Sequence, residues 1–346
     1  MRPCAACLPP HLAPTLRVQA GSHAGSEPLH DAEEQVTSLE AVSSFIPSDR
    51  VPVSECLGAQ GVNAARIKVY EHYFGFRDIR MDQGRGPAEL LLAATAGLAE
   101  LRGREQDVRY VVHARTMPLV APYPRSPVRE VSRALGLDHA NTFCLSQHAC
   151  ASALLAVELM GRTLTAEGDE DGLALVLAGE KAFTSSAQVI TDTGVMGEGA
   201  VAVLVRAGGA RNRLLGYATH TLGEFHGGPW MTAERAAEFQ EVYPQALAEV
   251  MRNAVKAAGL DLDDITLILP HNVNRMSWAK VLKNLAVRGT ERLFLENLAV
   301  MGHCFGADAF INYQTAEEMG RLKPGDHYLM TAVGLGATFS AMVFRR

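Results

Sequence analysis

The chain has 346 residues, 48% of them hydrophobic and 20% charged, with a mean hydropathy of +0.03, which is ample for a large buried core and about two domains' worth of length. A formal charge of -6 and a pI near 6.1 leave no basic footprint for phosphate-backbone binding, so nucleic acid is not expected as a partner. With no apolar run near the roughly 18 residues of a membrane span and no basic-then-apolar opening signal, the expected compartment is the cytoplasm, away from membranes.

Residues 1–35 combine Pro9, Pro10, Pro14, Gly21, Ser22, Gly25, Ser26 and Pro28 without a sustained period and read as a flexible leader. Cys4 and Cys7 in it form a lone CxxC with no second pair to complete a zinc site. Together with Cys56, Cys144, Cys150 and Cys304 they are too sparse for a disulfide framework, so reduced thiols and no bound metal are expected. Residues 87–103 ("PAELLLAATAGLAELRG") carry an apolar stripe at helical spacing. The short apolar runs at 108–117, 173–180 and 201–205 read as buried strands, and 150–164 ("CASALLAVELMGRTL") as a helix. "RAGGARNR" near residue 210 reads as a linker. Beyond it come a strand at 213–223, a helix at 240–260, a strand at 265–270, a further helix, a Gly-rich turn near 302–306, a helix to Gly320 and a closing strand pair. The alternation predicts a layered α/β protein with halves of similar size, 36–208 and 209–346.

"LSQHACASALL" at 145–155 is the candidate site. It places Cys150 where a strand gives way to a helix, so that unpaired N–H groups and the positive end of the helix dipole favour a thiolate and can hold an oxyanion. The same sequence also suits a core cysteine. Two histidines stand in positions to serve such a thiol: His271, just past the strand "ITLILP", and His303, in "NLAVMGHCFGAD".

From about residue 40 to the end these segments resemble the thiolase superfamily, and in detail β-ketoacyl-acyl-carrier-protein synthase III and its acyltransferase relatives. "SFIPSDRVPVSE" resembles the family's opening strand, "QHACASALLAVEL" its nucleophile segment, "PHNVN" its His-x-x-Asn segment, "MGHCFGADAFI" its Gly-Asn turn and "GRLKPGDHYLMTAVGLGATFSAMVFR" its terminus. The resemblance implies a thiolase-like fold of two related βαβαβ-type halves in an α-β-α-β-α layering, and a homodimer. Cys150 is then the acylated nucleophile, His271 a catalytic histidine, and Gly336 part of the loop around the acyl site and oxyanion hole. Asn274 matches the asparagine of the family's His-x-x-Asn segment. Asp308, with Asn274 a candidate supporting residue, suits either an imidazole-orienting role or, as preferred, a cap of the next helix, and Glu198 reads as structural.

Two positions depart from the family. His303 stands where synthase III enzymes carry Asn, giving a Cys-His-His set, and Met276 stands at a docking arginine, with Arg275 one residue earlier. Arg275, Lys280 and Lys283, with Arg288 and Arg292, suit either an acidic carrier or simply a solvated helix face. The implied substrates are coenzyme A or acyl-carrier-protein thioesters, with no further cofactor. The expected chemistry is decarboxylative condensation of the acyl-enzyme with a malonyl-type thioester; the alternative is transfer to an alcohol or amine. A non-catalytic partner subunit is disfavoured by the retained Cys150, and a thiolase proper by the lack of cysteine in "AVGLGATFS".

Overall fold

The computed structural model describes residues 37–118 and 120–346. The leader and its Cys4 and Cys7 lie outside the described residues. The principal elements are β1 (Thr37–Phe45), α1 (Pro87–Thr95), β2 (Val108–Ala114), α2 (Pro127–Ala134), β3 (Asn141–Leu145), α3 (Ser152–Glu167), β4 (Leu173–Gly179) and β5 (Ala200–Ala207). Then follow β6 (Arg213–Thr221), α4 (Ala233–Ala257), β7 (Ile265–Leu269), α5 (Arg275–Asn284), α6 (Asp308–Glu318), β8 (His327–Gly334) and β9 (Thr338–Arg345).

The strands lie in the order β7-β8-β9-β6-β1-β5-β4-β2-β3. The β2–β3 and β2–β4 pairs are parallel, while β4–β5 and β1–β5 are antiparallel. The second half repeats this: β7–β8 is parallel, β8–β9 and β6–β9 antiparallel. Leu293, which bridges Ile268 of β7 in parallel, occupies the place of β3. The halves join edge to edge where Ser38 of β1 pairs with Arg213 of β6.

Three core clusters give the layering. The middle one combines Val157 and Met160 of α3 and Phe310 and Ile311 of α6 with Val176 and Val203 of one half-sheet and Tyr328 and Met342 of the other. A second packs Leu90 and Leu91 of α1 and Val131 of α2 on Leu175 and Leu204, and a third packs Leu247 and Met251 of α4 and Trp278 of α5 on Phe339 and Val343. The result is the expected α-β-α-β-α order. Every residue of β4 is buried, the signature of a strand covered by helices on both faces.

Several boundaries differ from the sequence reading. The 87–103 helix stops at Thr95, just before Gly97, where an added Cβ would lie 2.5 Å from Ser43 Oγ. The 108–117 strand ends at Ala114, because the Thr116 and Met117 amides turn to the Glu180 carboxylate at 2.5 and 2.9 Å. The 240–260 helix starts earlier, at Ala233, where Thr232 accepts from the Arg235 amide. The helix run 149–167 is apolar and long enough for a membrane span by composition, yet 61% of that window is buried in the protein, as befits a central core helix.

Helix α4 packs on β6 through Gly216, where a Cβ would lie 2.3 Å from the Ala254 carbonyl and 2.6 Å from the Ala258 nitrogen. Backbone atoms cannot swing aside as a side chain can. Gly216→Ala is therefore expected to cost about 1–3 kcal/mol, read as a lowered denaturant midpoint. Gly223→Ala, exposed and with nothing within 4 Å of the new methyl, is the control and should stay within about 0.5 kcal/mol of the parent.

Candidate active site

Cys150 sits in a single 3-10 turn, Ala149–Ala151, between β3 and α3. The turn is tied by the Ala151 amide to the His148 carbonyl at 2.9 Å and by the His148 amide to Ser152 Oγ at 3.2 Å. Ala149 holds a left-handed φ of 45°, a strained state for a residue with a Cβ, which persists only where surroundings impose it. Those surroundings come from the other half of the chain. At the end of β8, a Cβ on Gly334 would fall 1.9 Å from the His148 carbonyl oxygen, so only glycine lets the strand press on the nucleophile turn. Thr116, just past β2, donates its hydroxyl to Cys150 Sγ at 3.3 Å.

His303 is fixed by its main chain: its amide donates to Val195 O at 2.9 Å and its carbonyl accepts from Gly197 at 3.0 Å. Its Nδ1 is hydrogen-bonded to Asp308 Oδ2. The Asp308 carboxylate, 1% exposed, also accepts the Asn272 amide at 2.6 Å, Asn272 Nδ2 at 3.3 Å and the Cys304 amide at 2.7 Å. Helix α6 begins at Asp308 without a side-chain cap, which corrects the cap reading: the carboxylate points back to the histidine loop. Burial alone would lower the His303 pKa, but the Asp308 carboxylate and Cys150 outweigh it and push it up to about 10. The imidazole is therefore a cation at neutral pH, held between a carboxylate and the Cys150 sulfur.

His271 follows β7 and lies 6.2 Å from His303, centroid to centroid. Its Nε2 meets the Tyr243 hydroxyl at 2.7 Å, and its carbonyl accepts from Trp278 Nε1 at 3.1 Å. Burial, and then the neighbouring His303 charge, lower its pKa to about 3, so it stays neutral. Cys150, His271, His303 and Tyr243 converge on a cavity of about 30 Å³, completed by Phe239 and Leu335, with room for a water-sized group.

The structure thus brings Cys150, His271, His303 and Asp308 together. Asn274 stands beside them as a cap and cross-link, accepting from Ser277 N at 2.8 Å and donating to Thr193 O at 2.8 Å. Gly336 lies in the β8–β9 turn with a φ of 132°; its neighbours Leu335 and Gly334 are the residues that meet the cavity and the nucleophile turn. Glu198 is a buried ion-pair partner of Lys181 at 2.6 Å. Arg275, Lys280 and Lys283 are exposed on α5, whereas Arg292 is bound to Asp263 at 3.0 Å. Thr116, Glu180 and Tyr243 escaped the sequence reading. Thr116 was hidden inside an overlong strand. Tyr243 precedes Pro244 within a helix, and that Tyr-Pro pair was the one local sign of something unusual.

The C-terminal residues 255–346 match the model for the C-terminal domain of 3-oxoacyl-acyl-carrier-protein synthase III. A β-ketoacyl-acyl-carrier-protein synthase III from Roseiflexus sp. is 35% identical over 109 residues, covering 31% of this chain and 32% of that protein. The Rhodospirillum centenum enzyme of the same name is 28% identical over 272 residues, 73% of this chain and 81% of its own. The first of these alignments thus spans about a third of its relative. Among solved structures, ChlB3, titled an acyltransferase, superposes with a TM-score of 0.77 at 22% identity over 90% of this chain and 97% of that one. OleA from Xanthomonas campestris gives 0.75 at 18%, over 90% and 99%. At these identities the two structures speak for the fold.

The raised pKa of His303 means that its protonation stabilises the fold fully below about pH 6.5 and that this stability is lost as pH rises through about 10. Asp308→Asn removes the principal counter-charge. The variant is expected to lose the wild-type decline in unfolding temperature between pH 6.5 and 10. It should also alkylate Cys150 with iodoacetamide about tenfold more slowly at pH 7, because the imidazolium that faces the sulfur is no longer held by its counter-charge.

Proposed function

We propose, from a chain that is β-ketoacyl-acyl-carrier-protein synthase III-like in sequence and thiolase-like in fold, that it transfers an acyl group from a thioester through Cys150 to an oxygen or nitrogen acceptor. The observation that carries this reading is the buried line Asp308–His303–Cys150. It has the order and protonation of a nucleophile, a shuttling imidazole and an orienting carboxylate.

In the first stage the Cys150 thiolate attacks the thioester carbonyl, and the tetrahedral intermediate collapses to the acyl-cysteine. The leaving thiolate takes the proton of the His303 imidazolium. His303 is then neutral beside Asp308 and is the strongest base in the cavity. In the second stage an alcohol or amine attacks the acyl-cysteine, His303 takes its proton, and Cys150 leaves as thiolate. The imidazolium is restored, so protons balance over the cycle. No group beyond the thioester and the acceptor is required.

Condensation with a malonyl-type thioester is the second reading, supported by two imidazoles flanking one cavity and by the names of the sequence relatives. The exposed Arg275, Lys280 and Lys283 face of α5 suits either the phosphates of coenzyme A or an acidic carrier.

Intact mass after incubation with a panel of acyl-coenzyme A and acyl-carrier thioesters should show one acyl adduct in the wild type and none in Cys150→Ala. Discharge of the adduct by alcohols or amines, without carbon dioxide release, is the expected result. Discharge only by malonyl thioester, with carbon dioxide, would establish condensation instead. A panel that leaves Cys150 unmodified would remove both readings.

A further inference from the structure

Among the described residues, two polar side chains bear on the Cys150 sulfur. One is His303, which Asp308 holds. The other is Thr116, whose hydroxyl lies at 3.3 Å and whose own support comes from a neighbouring strand. Strand β2 is paired on both sides as far as Ala114, with Leu145 of β3 and Ala178 of β4, and the Arg115 amide still donates to the Leu145 carbonyl at 2.9 Å. The next two amides leave the ladder. Thr116 N–H donates to Glu180 Oε2 at 2.5 Å and Met117 N–H to Glu180 Oε1 at 2.9 Å.

Glu180 follows β4 directly and is 2% exposed. A carboxylate in such a place is costly unless its oxygens find donors, and one backbone amide on each oxygen meets that need. An amide N–H can only donate, so the direction of both bonds is fixed. Held together, they fix the two peptide planes that flank Thr116, and with them the direction of its side chain. Glu180 is not one of the residues that line the Cys150 cavity, so it bears on the sulfur only through what it holds.

We propose that Glu180 is a positioning residue that aims the Thr116 hydroxyl at the Cys150 sulfur. The inference rests on the reading of Cys150 as the nucleophile and deepens it, whatever the acceptor. A thiolate has no proton to give, so against the attacking form of Cys150 the hydroxyl is the donor. It donates again when the thiolate departs from the second tetrahedral intermediate. An error of about 1 Å in the hydroxyl's place forfeits that bond. Each half of the chain thus contributes one buried carboxylate that accepts backbone amides and holds one polar group on the sulfur: Asp308 with His303, and Glu180 with Thr116.

The test is the pH profile of Cys150 alkylation by iodoacetamide in the full chain, read at the Cys150 peptide because Cys56 and Cys144 are also accessible. Glu180→Gln keeps the shape and leaves one oxygen for two amides; Thr116→Val removes the hydroxyl and Thr116→Ser keeps it. Each of Glu180→Gln and Thr116→Val should slow alkylation at pH 7 by about threefold to tenfold, the scale of one hydrogen bond, and move the profile to higher pH. The double variant should move it no further than either alone, and Thr116→Ser should stay with the wild type. Charge alone predicts the opposite sign, since removing a carboxylate favours a nearby thiolate. The other charged groups that act on the pair, Arg115 on Glu180 and His303 on the sulfur, are untouched by these variants. An unchanged profile in Glu180→Gln, a shift to lower pH, or shifts that add in the double variant would overturn the proposal. Should Glu180→Gln not fold, Glu180→Asp sets the carboxylate one methylene back and must show the same upward shift and the same loss of effect beside Thr116→Val. Alkylation needs no acyl donor: if Cys150 takes no acyl group, the proposed function falls, and the profile still decides whether Glu180 acts on the sulfur through Thr116.

Discussion

A single buried carboxylate organises the site. Asp308 is withdrawn from water, and a carboxylate in such a place is costly unless each lone pair finds a donor. It finds four: the Asn272 amide and side chain, the Cys304 amide and His303 Nδ1. Those donors belong to two separate segments, the turn after β7 and the turn before α6. Satisfying one anion therefore ties the loop that carries His271 to the loop that carries His303. The tie continues outward through Asn312, which donates to Asn272 Oδ1 at 3.0 Å and to the Pro270 carbonyl at 2.7 Å and accepts from Asn297. Because every member is paired, the network is rigid rather than merely polar.

The repeated topology explains why these loops meet. In each half a parallel pair of strands ends beside the N-terminus of a central helix, α3 in the first and α6 in the second. The positions are equivalent, but the chemistry is divided. The first half supplies Thr116 after β2 and Cys150 before α3; the second supplies His271 after β7 and His303 with Asp308 before and at the start of α6. Since α3 and α6 share one core cluster, the two active loops approach each other at the middle of the molecule. The glycine at 334 then lets β8 close on the turn that carries Cys150.

The sequence was most legible where backbone rules act alone. The apolar runs at 173–180 and 265–270 could be read as buried strands because both faces are covered, and a small-residue stretch at a strand-to-helix junction pointed to Cys150. His271 and His303 stood out by context, one just past an apolar strand and the other beside a Gly-flanked turn, and the resemblance of "PHNVN" and "GHCFGA" to known segments then gave them roles. Asp308 was misread because an acid at a helix start ordinarily caps it; here the three-dimensional approach of Asn272, 36 residues away in sequence, redirects the carboxylate. Tyr243 was illegible for a similar reason. On one face of a long amphipathic helix a tyrosine looks like core packing, and only the approach of His271 to its hydroxyl at 2.7 Å sets it apart.

The two imidazoles are chemically alike, and their environments push them apart. One has a buried anion on its far side and a sulfur on the near side, and is held positive. The other has a phenol and aromatic walls and feels its neighbour's charge at 6.2 Å between rings, so it is held neutral. Two cations at that distance in a dry cavity would repel strongly, and the pair therefore carries one positive charge between them. On the proposed acyl-transfer reading, that shared charge would give the site an order of events. While His303 is charged, the cavity can deliver a proton to a leaving thiol. Once that proton is gone, the repulsion that suppressed His271 is relieved and both rings face the incoming acceptor as bases. On the proposed acyl-transfer reading, acylation of Cys150 would alter the electrostatics that a second substrate meets, because one buried carboxylate sets which of the two rings is charged.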